Sequence, residues 1–461
     1  MADLDMERIK NIHLIGVGGC GMSGLAKILH EMGYKVSGSD SREGPNTLRL
    51  KDLGVKIHID HNESQVREAD LVVYSSAVTE KNVEMQQALA KGVPIIKRAE
   101  MLSWIINRSR IRIAVAGTHG KTTTTAMIAK VLDAAKMSPT YFIGCDMDYA
   151  EGNAKLGGGG YAVAEADESD SSFLCLSPTA AVITNIEADH MEKFGTMEAV
   201  FSAFQQFADR VSPDGFIAVD AGDPFNQKLM TTVKKRFITY ALKAPAQYMA
   251  KDLSFKNFGS RYHLFKDQEE LGEVELLVPG WQNVLNSLAV FAVCTECGLD
   301  FGAITSGLRT FVGARRRFQT VGEQNDILIV DDYAHHPTEI KATLSAARSG
   351  WPERRIICIF QPHRYSRTML LKDQFAQAFV DADKVIITDV YAASEAPIPG
   401  VSGQTIAKAV KNKEVRYIKR KENISAELVK ELKPGDLILT LGAGDIYTVG
   451  KELLTRLKIN Q

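Results

Sequence analysis

The residues with the plainest chemical purpose are Gly117-Thr118-His119-Gly120-Lys121-Thr122-Thr123-Thr124. They fall between an apolar run, 111–116, that reads as a strand, and a stretch patterned as a helix. Glycines let backbone N–H groups wrap phosphate oxygens, and the start of a helix adds positive potential. Lys121 can then reach β- and γ-phosphates, and the Thr122 hydroxyl can hold Mg2+. Val115 stands where the usual phosphate-loop pattern has its first glycine. A bare glycine-rich turn is the competing reading, and Gly-Lys-Thr-Thr directly after an apolar strand argues against it.

Two acidic segments end neighbouring strand-like runs. Glu165-Ala-Asp167-Glu168-Ser-Asp170 follows 161–164, and Thr184-Asn185-Ile-Glu187-Ala-Asp189-His190 closes another run. Carboxylates at the C-terminal ends of parallel strands share an edge with a phosphate loop, where their oxygens suit Mg2+. Glu165, at the strand end itself, is the expected ligand. Asp167 and Glu168 read either as outlying members of the site or as solvated surface charge. His190 is either a satisfied loop histidine or, by its place after Asn185 and Asp189, part of the site.

A second glycine cluster, Gly16-Val-Gly18-Gly19-Cys-Gly21-Met22-Ser23-Gly24, follows the strand-like run 11–16, and Asp40 ends the next such run, 35–40. The G-x-G-x-x-G spacing fits NAD, but the same turn serves any nucleotide diphosphate. Asp40 is the candidate ribose or uracil contact, with Ser75 closing a third run, 71–75. Further along, Asn283 and Asn286 open a helix where their amides either read an adenine edge or cap the helix. Arg315-Arg316-Arg317 offers bidentate anion binding. Asp331-Asp332-Tyr333-Ala-His335-His336-Pro337 and Gln361-Pro-His363-Arg364-Tyr-Ser-Arg367 each end a strand, on the edge that faces a ligand crevice. Cys294 and Cys297 form an isolated C-x-x-C inside a helical pattern, which reads as packing rather than zinc.

These groups need a scaffold of alternating strands and helices, and the chain supplies one almost throughout. Strand-like runs at 216–220, 327–331, 356–360, 384–388 and 437–441 alternate with helical stretches, and 247–278 reads as an antiparallel meander before a helix at 282–297. The glycines 157–160 read as a hairpin or a flexible connection. The fold expected is α/β in three domains: a Rossmann-like domain over 1–108, a central phosphate-loop domain with a mainly parallel sheet over 109–313, and a Rossmann-like domain over 314–461. The 461 residues carry 55 basic against 56 acidic side chains, so nucleic acid is not an expected partner. Six cysteines in this length do not make a disulfide framework, and no apolar run approaches a membrane span. The acidic N-terminus, Met1-Ala-Asp-Leu-Asp, has no signal-peptide pattern, so a cytoplasmic protein is expected.

Taken together the motifs resemble the Mur ligase family, in the same order and over nearly the whole chain. The resemblance rests on Gly-Val-Gly-Gly-Cys-Gly-Met-Ser-Gly, Gly-Thr-His-Gly-Lys-Thr-Thr, Glu-Ala-Asp-Glu-Ser-Asp, Asn-Ile-Glu-Ala-Asp-His, Asp-Asp-Tyr-Ala-His-His-Pro and Gln-Pro-His-Arg-Tyr-Ser-Arg-Thr. It implies ATP-driven joining of L-alanine to the lactyl carboxylate of UDP-N-acetylmuramate, through an acyl phosphate, in peptidoglycan precursor synthesis. A ligase that recycles murein tripeptide onto the same sugar nucleotide is the alternative. By the same resemblance Gly117, Thr118, His119, Gly120, Lys121, Thr122 and Thr123 cradle ATP, Asn286 reads adenine, and Arg317 and Asp332 complete the nucleotide site. Thr122 and Glu165 hold one Mg2+ and His190 a second. Gly18, Gly19, Gly21, Met22, Ser23, Asp40 and Ser75 take the UDP-sugar, with the Gly18 and Gly19 amides on the diphosphate. Arg364 and Arg367 bind the substrate carboxylate or the acyl phosphate, and Tyr333 with His335 lines the alanine pocket, where Asp331 and Asp332 either meet its amine or are structural aspartates that cap the following helix. Lys121→Ala is expected to abolish turnover and leave the fold intact. The chain departs from the family at Gln282, where a histidine is usual, and it has no lysine in 196–211 to carry a carbamate. A monomer or weak homodimer acting on small molecules, with no membrane partner, completes the expectation.

Overall fold

A computed structural model describes residues 4–147, 152–411 and 414–459, so the first three residues read above lie outside it. The chain forms two compact units. One comprises Met1–Met249, Phe265–Glu269 and Asn286–Leu308, and the other Ala250–Leu264, Glu270–Leu285 and Arg309–Gln461.

The first unit opens with β1 (Asn11–Ile15), β2 (Lys35–Asp40), β3 (Lys56–Ile59), β4 (Leu71–Tyr74) and β5 (Ile95–Lys97), in the order β3-β2-β1-β4-β5. Its four neighbouring pairs are all parallel. The order reverses between β1 and β4, and such a switch point opens a crevice at the strands' C-terminal ends. The helix Cys20–Glu31 starts there.

A second sheet follows: β6 (Ile111–Ala116), β7 (Thr140–Met147), β8 (Gly152–Lys155), β9 (Tyr161–Glu165), β10 (Ala180–Ile183), β11 (Phe216–Asp220), β12 (Arg236–Ala241), β13 (Tyr248–Lys256), β14 (Gly259–Lys266) and β15 (Glu269–Leu276). Its order is β15-β14-β13-β12-β11-β10-β6-β9-β7-β8. The phosphate-loop strand β6 lies between β10 and β9, so both acidic segments emerge beside it. Strands β13 to β15 are the expected meander, joined by two-residue turns that only antiparallel neighbours allow.

One apolar cluster runs from Met6 through Val233, and the expected boundary at 108/109 falls inside this unit. Phe173 stands at its centre, 5.4 Å from the Phe204 ring and stacked 5.2 Å from Phe207. The glycines 157–160 are neither hairpin nor loose tether. Gly159 donates to Ser138 O at 2.9 Å, and a Cβ there would collide with the Met137 carbonyl, so backbone packs on backbone.

The second unit holds β16 (Gln319–Gln324), β17 (Ile327–Asp332), β18 (Arg355–Phe360), β19 (Lys384–Ile387), β20 (Glu414–Tyr417) and β21 (Asp436–Leu441), ordered β16-β17-β21-β18-β19-β20. Only the edge pair β16–β17 is antiparallel. Alternation along β17 explains its unbroken apolar run, since both faces are covered. Leu328 and Val330 pack with Ile340, Leu344 and Ile406, whereas Ile327 and Ile329 pack with Ile424, Leu428 and Leu453. Cys294 is fully buried in the helix Trp281–Glu296, as the packing reading of that cysteine requires. No helix among the described residues is long and apolar enough to cross a membrane.

Candidate active site

The phosphate loop joins β6 to the helix Lys121–Ala134. Gly117 sits at φ 131°, and a Cβ there would collide with the Thr184 hydroxyl, so only glycine fits. The segment after β10 holds the loop in shape. Thr118 N–H donates to Asn185 O and His119 N–H to Asn185 Oδ1, both at 2.9 Å, while Glu187 N–H donates to Thr118 Oγ1 at 2.8 Å. His119 Nε2 lies 3.5 Å from Glu187 Oε2, and Thr123 is half-buried in the first helical turn.

Lys121 Nζ is folded back on the loop. It donates to Gly117 O at 2.6 Å, to Thr118 O at 3.1 Å and to Glu168 Oε1 at 2.9 Å. Burial works against its charge, but Glu168, Asp167 and Glu165 outweigh it and hold the ammonium firmly protonated. The solvated reading of Glu168 is thus overturned. It is 3% exposed and faces Lys121, because an unpaired carboxylate is not tolerated at that depth.

Glu165 ends β9 as expected. Its carboxylate accepts the Thr122 hydroxyl at 3.0 Å and the Gly144 N–H at 2.7 Å, and burial raises its pKa. Burial also opposes the Asp167 charge, but Lys121 and the Ser169 amide prevail and keep that carboxyl below its ordinary value, with His190 adding to them. His190 caps Met191–Phe194 in a left-handed conformation, φ 54°, within 3.7 Å of Asp189 and 3.6 Å of Glu192. Asn286 lies against the loop, since a Cβ on Gly120 would stand 2.7 Å from its Oδ1. Asn283 serves the helix start, donating to Pro279 O at 2.7 Å.

At the first sheet's switch point the glycine cluster is ordered by its own polar groups. Gly18 N–H donates to Asp40 Oδ2 at 2.9 Å, and Gly19 N–H to Gly16 O at 3.3 Å. The two amides expected to meet a diphosphate are thus engaged within the loop in this arrangement. The amides of Gly21 and Met22 lie in the first turn of Cys20–Glu31, ahead of the first intrahelical donor. Ser23 donates to Cys20 O at 2.9 Å, and the Ser75 N–H to Ile15 O at 3.2 Å. Arg98, which sequence reasoning passed over, stands beside Gly21 and reaches Asp170 at 3.5 Å and Ser172 at 3.3 Å.

In the second unit the C-terminal strand ends gather an aromatic and basic cluster. Tyr333 and His335 meet edge to face at 5.3 Å, His335 lies 5.6 Å from His363, and His363 stacks on Tyr391 at 5.6 Å. Arg316 and Arg317 lie 5.1 and 5.4 Å from the Tyr333 ring. Arg367 is buried, with its guanidinium 3.4 Å from His363 Nδ1, and Arg364 N–H donates to Tyr391 O at 2.9 Å. The paired aspartates have structural partners. Asp331 is taken by Arg316 at 2.9 Å and Thr440 at 2.7 Å, and Asp332 by the Phe318 and Ala334 amides at 2.9 and 2.8 Å. Burial pushes Asp332 up to about 6. Tyr391 and the Gly442 and Gly444 carbonyls that receive Arg316 were missed, although each follows a strand on this same edge.

Three family models match successive parts of the chain: the Mur ligase family catalytic domain over 11–110, the Mur ligase middle domain over 115–294, and the Mur ligase glutamate ligase domain over 316–444. The UDP-N-acetylmuramate–L-alanine ligase of Geotalea daltonii is 45% identical across 98% of this chain and 99% of its own. The chain belongs to the Mur ligase family. The corresponding ligase of Desulforamulus reducens is 46% identical across 97% of this Mur ligase and 98% of its own length. The crystal structure of UDP-N-acetylmuramate–alanine ligase from Thermotoga maritima superposes with a TM-score of 0.83 at 32% identity, covering 98% of this chain and 100% of that one. A murein peptide ligase from Psychrobacter arcticus reaches a TM-score of 0.70 at 26% identity, covering 97% and 98%.

Proposed function

We propose that this Mur ligase joins L-alanine to the lactyl carboxylate of UDP-N-acetylmuramate, converting ATP to ADP and phosphate. The observation that carries the reading is the Lys121–Thr122–Glu165 constellation, set in a chain 45% identical over 98% of its length to ligases so named. On this reading 1–108 serves the UDP-sugar, 109–313 serves ATP, and 314–461 serves the amino acid.

The lactyl carboxylate attacks the γ-phosphorus, the bond to ADP breaks, and an acyl phosphate forms. The alanine amine then attacks the acyl carbon, phosphate leaves, and the amine gives up a proton. Catalysis of phosphoryl transfer is mainly positioning and charge stabilisation. Lys121 and the first-turn amides of its helix meet phosphate charge. The Thr122 hydroxyl and Glu165 carboxylate, 3.0 Å apart, are hard oxygen donors that suit Mg2+, which when bound neutralises phosphate charge. His190 stands as the candidate for a second Mg2+. Asn286 is assigned to adenine, with Arg317 beside the nucleotide. Gly21 and Met22 amides take the diphosphate of the sugar nucleotide, with Asp40 fixing the loop. Arg364 and Arg367 bind the carboxylate or acyl phosphate, and Tyr333 with His335 walls the alanine. Asp331 and Asp332 hold the strand end instead of receiving the amine. Since both nucleotides are cytoplasmic metabolites, the reaction is assigned to the cytoplasm.

Phosphate release measured with ATP and Mg2+ tests this. Release that requires both UDP-N-acetylmuramate and L-alanine supports it, and release that ignores either one refutes it.

A further inference from the structure

The phosphate-loop lysine is fully occupied before any nucleotide arrives. An ammonium has three hydrogens, and those of Lys121 point to Gly117 O, Thr118 O and Glu168 Oε1. Glu168 is the unusual member of this set. Its side chain is buried, and its two oxygens both lie 2.9 Å from Nζ, yet only Oε1 accepts a hydrogen bond. Oε2 is buried with no hydrogen-bond partner among the described residues. That oxygen has lost water and gained only the nearby ammonium charge. Lys193 approaches the same residue, but its Nζ donates to the Glu168 backbone carbonyl at 3.3 Å and to Ser171 Oγ at 2.6 Å, leaving the carboxylate to Lys121.

We propose that Glu168 is a positioning residue that acts through Lys121: it holds the ammonium on the loop when the phosphate site is empty, and competes with nucleotide phosphates for it. The inference rests on the nucleotide reading of the loop. An incoming phosphate must draw Nζ away from a buried carboxylate and then lie close to that negative charge. Both effects weaken nucleotide binding relative to a neutral residue of the same shape, and both favour departure of ADP after turnover. Asp167 and Glu165 also face Lys121 electrostatically, but neither is hydrogen-bonded to it.

The test uses the full chain and ADP as the probe, by calorimetry, with Glu168→Gln. Charged hydrogen bonds exceed neutral ones by about the amount that changes an affinity tenfold, so the ADP Kd is expected to fall about tenfold. KM for ATP falls with it, while kcat does not rise, because ADP leaves more slowly. A residue that merely supported the fold would move these the other way, weakening ADP and raising KM. Glu168→Asp, which keeps the charge one methylene farther from Nζ, carries the test if the amide variant does not fold, with ADP binding several-fold tighter than wild type. Wild-type protein that binds ADP while the variants bind it equally or more weakly overturns the inference alone. Wild-type protein that binds no ADP removes the nucleotide reading and the inference together.

Discussion

Lys121→Met separates what the lysine does for the fold from what it does for phosphate. The substitution removes the ammonium facing Glu168, a residue 3% exposed with one carboxylate oxygen lacking a hydrogen bond. Breaking a buried pair by deleting one partner leaves an uncompensated charge and destabilises by about 3–5 kcal/mol. For a unit of this size 1 kcal/mol moves Tm by about 2–4 °C, so the transition of the first unit should fall by about 10 °C. The expectation from sequence that Lys121→Ala leaves the fold intact is put to the test by the same melts. Lys121→Met/Glu168→Gln, which removes the orphaned charge as well, should recover most of the loss, and the difference is the coupling of the pair. Both variants should show no ligase turnover. Calorimetric melting of the wild type, the two single variants and the double variant measures this. A Lys121→Met transition equal to wild type, or a double variant no more stable than Lys121→Met, would refute the reasoning.

Glu165→Ala should raise the Mg2+ concentration needed for half-maximal activity far more than Glu168→Ala does, because Glu165 is the one beside the Thr122 hydroxyl. Titrating both variants with Mg2+ checks it, and equal shifts would move the ligand assignment. Glu84 is fully buried and accepts from His13 at 2.6 Å, His61 at 2.7 Å and Ser39 at 2.8 Å. Burial opposes its charge, but these partners prevail and its folded pKa lies below the ordinary 4.5. A depressed carboxylate contributes stability that is present above its unfolded pKa and lost as pH falls through the folded one. Urea midpoints of the wild type should thus drop below about pH 4.5, and Glu84→Gln should flatten that drop. An identical acid profile in the variant would reassign the loss to other carboxylates.

What the sequence reveals depends on how local the signal is. Runs such as Ile327–Asp332 and Arg355–Phe360 are legible because both faces are buried and each carries at least four apolar residues in succession. The short strands Lys56–Ile59 and Glu414–Tyr417 are mixed in polarity and half-exposed, so no pattern announces them. Glu165 was legible as a strand-end acid. Glu168 was not, since its partner lies 47 residues away and an acidic loop looks solvated until the fold buries it. Asp331 and Asp332 kept two readings open for the same reason, because their partners Arg316, Thr440 and two backbone amides are brought together only by the fold. Gly157 and Gly159 show the converse: small residues marked tight packing against backbone, not freedom.

The central claim concerns what is joined, and one competition tests it directly. The protein is given ATP, Mg2+ and UDP-N-acetylmuramate with equal concentrations of L-alanine and L-alanyl-γ-D-glutamyl tripeptide, and the products are identified by mass spectrometry. The account predicts UDP-N-acetylmuramoyl-L-alanine as the dominant product, with glycine and L-serine poor but detectable when they replace L-alanine, because one methylene is worth only about 1–3 kcal/mol of discrimination. Preferential formation of the tripeptide adduct would contradict it and place the chain among the ligases that recycle murein peptide.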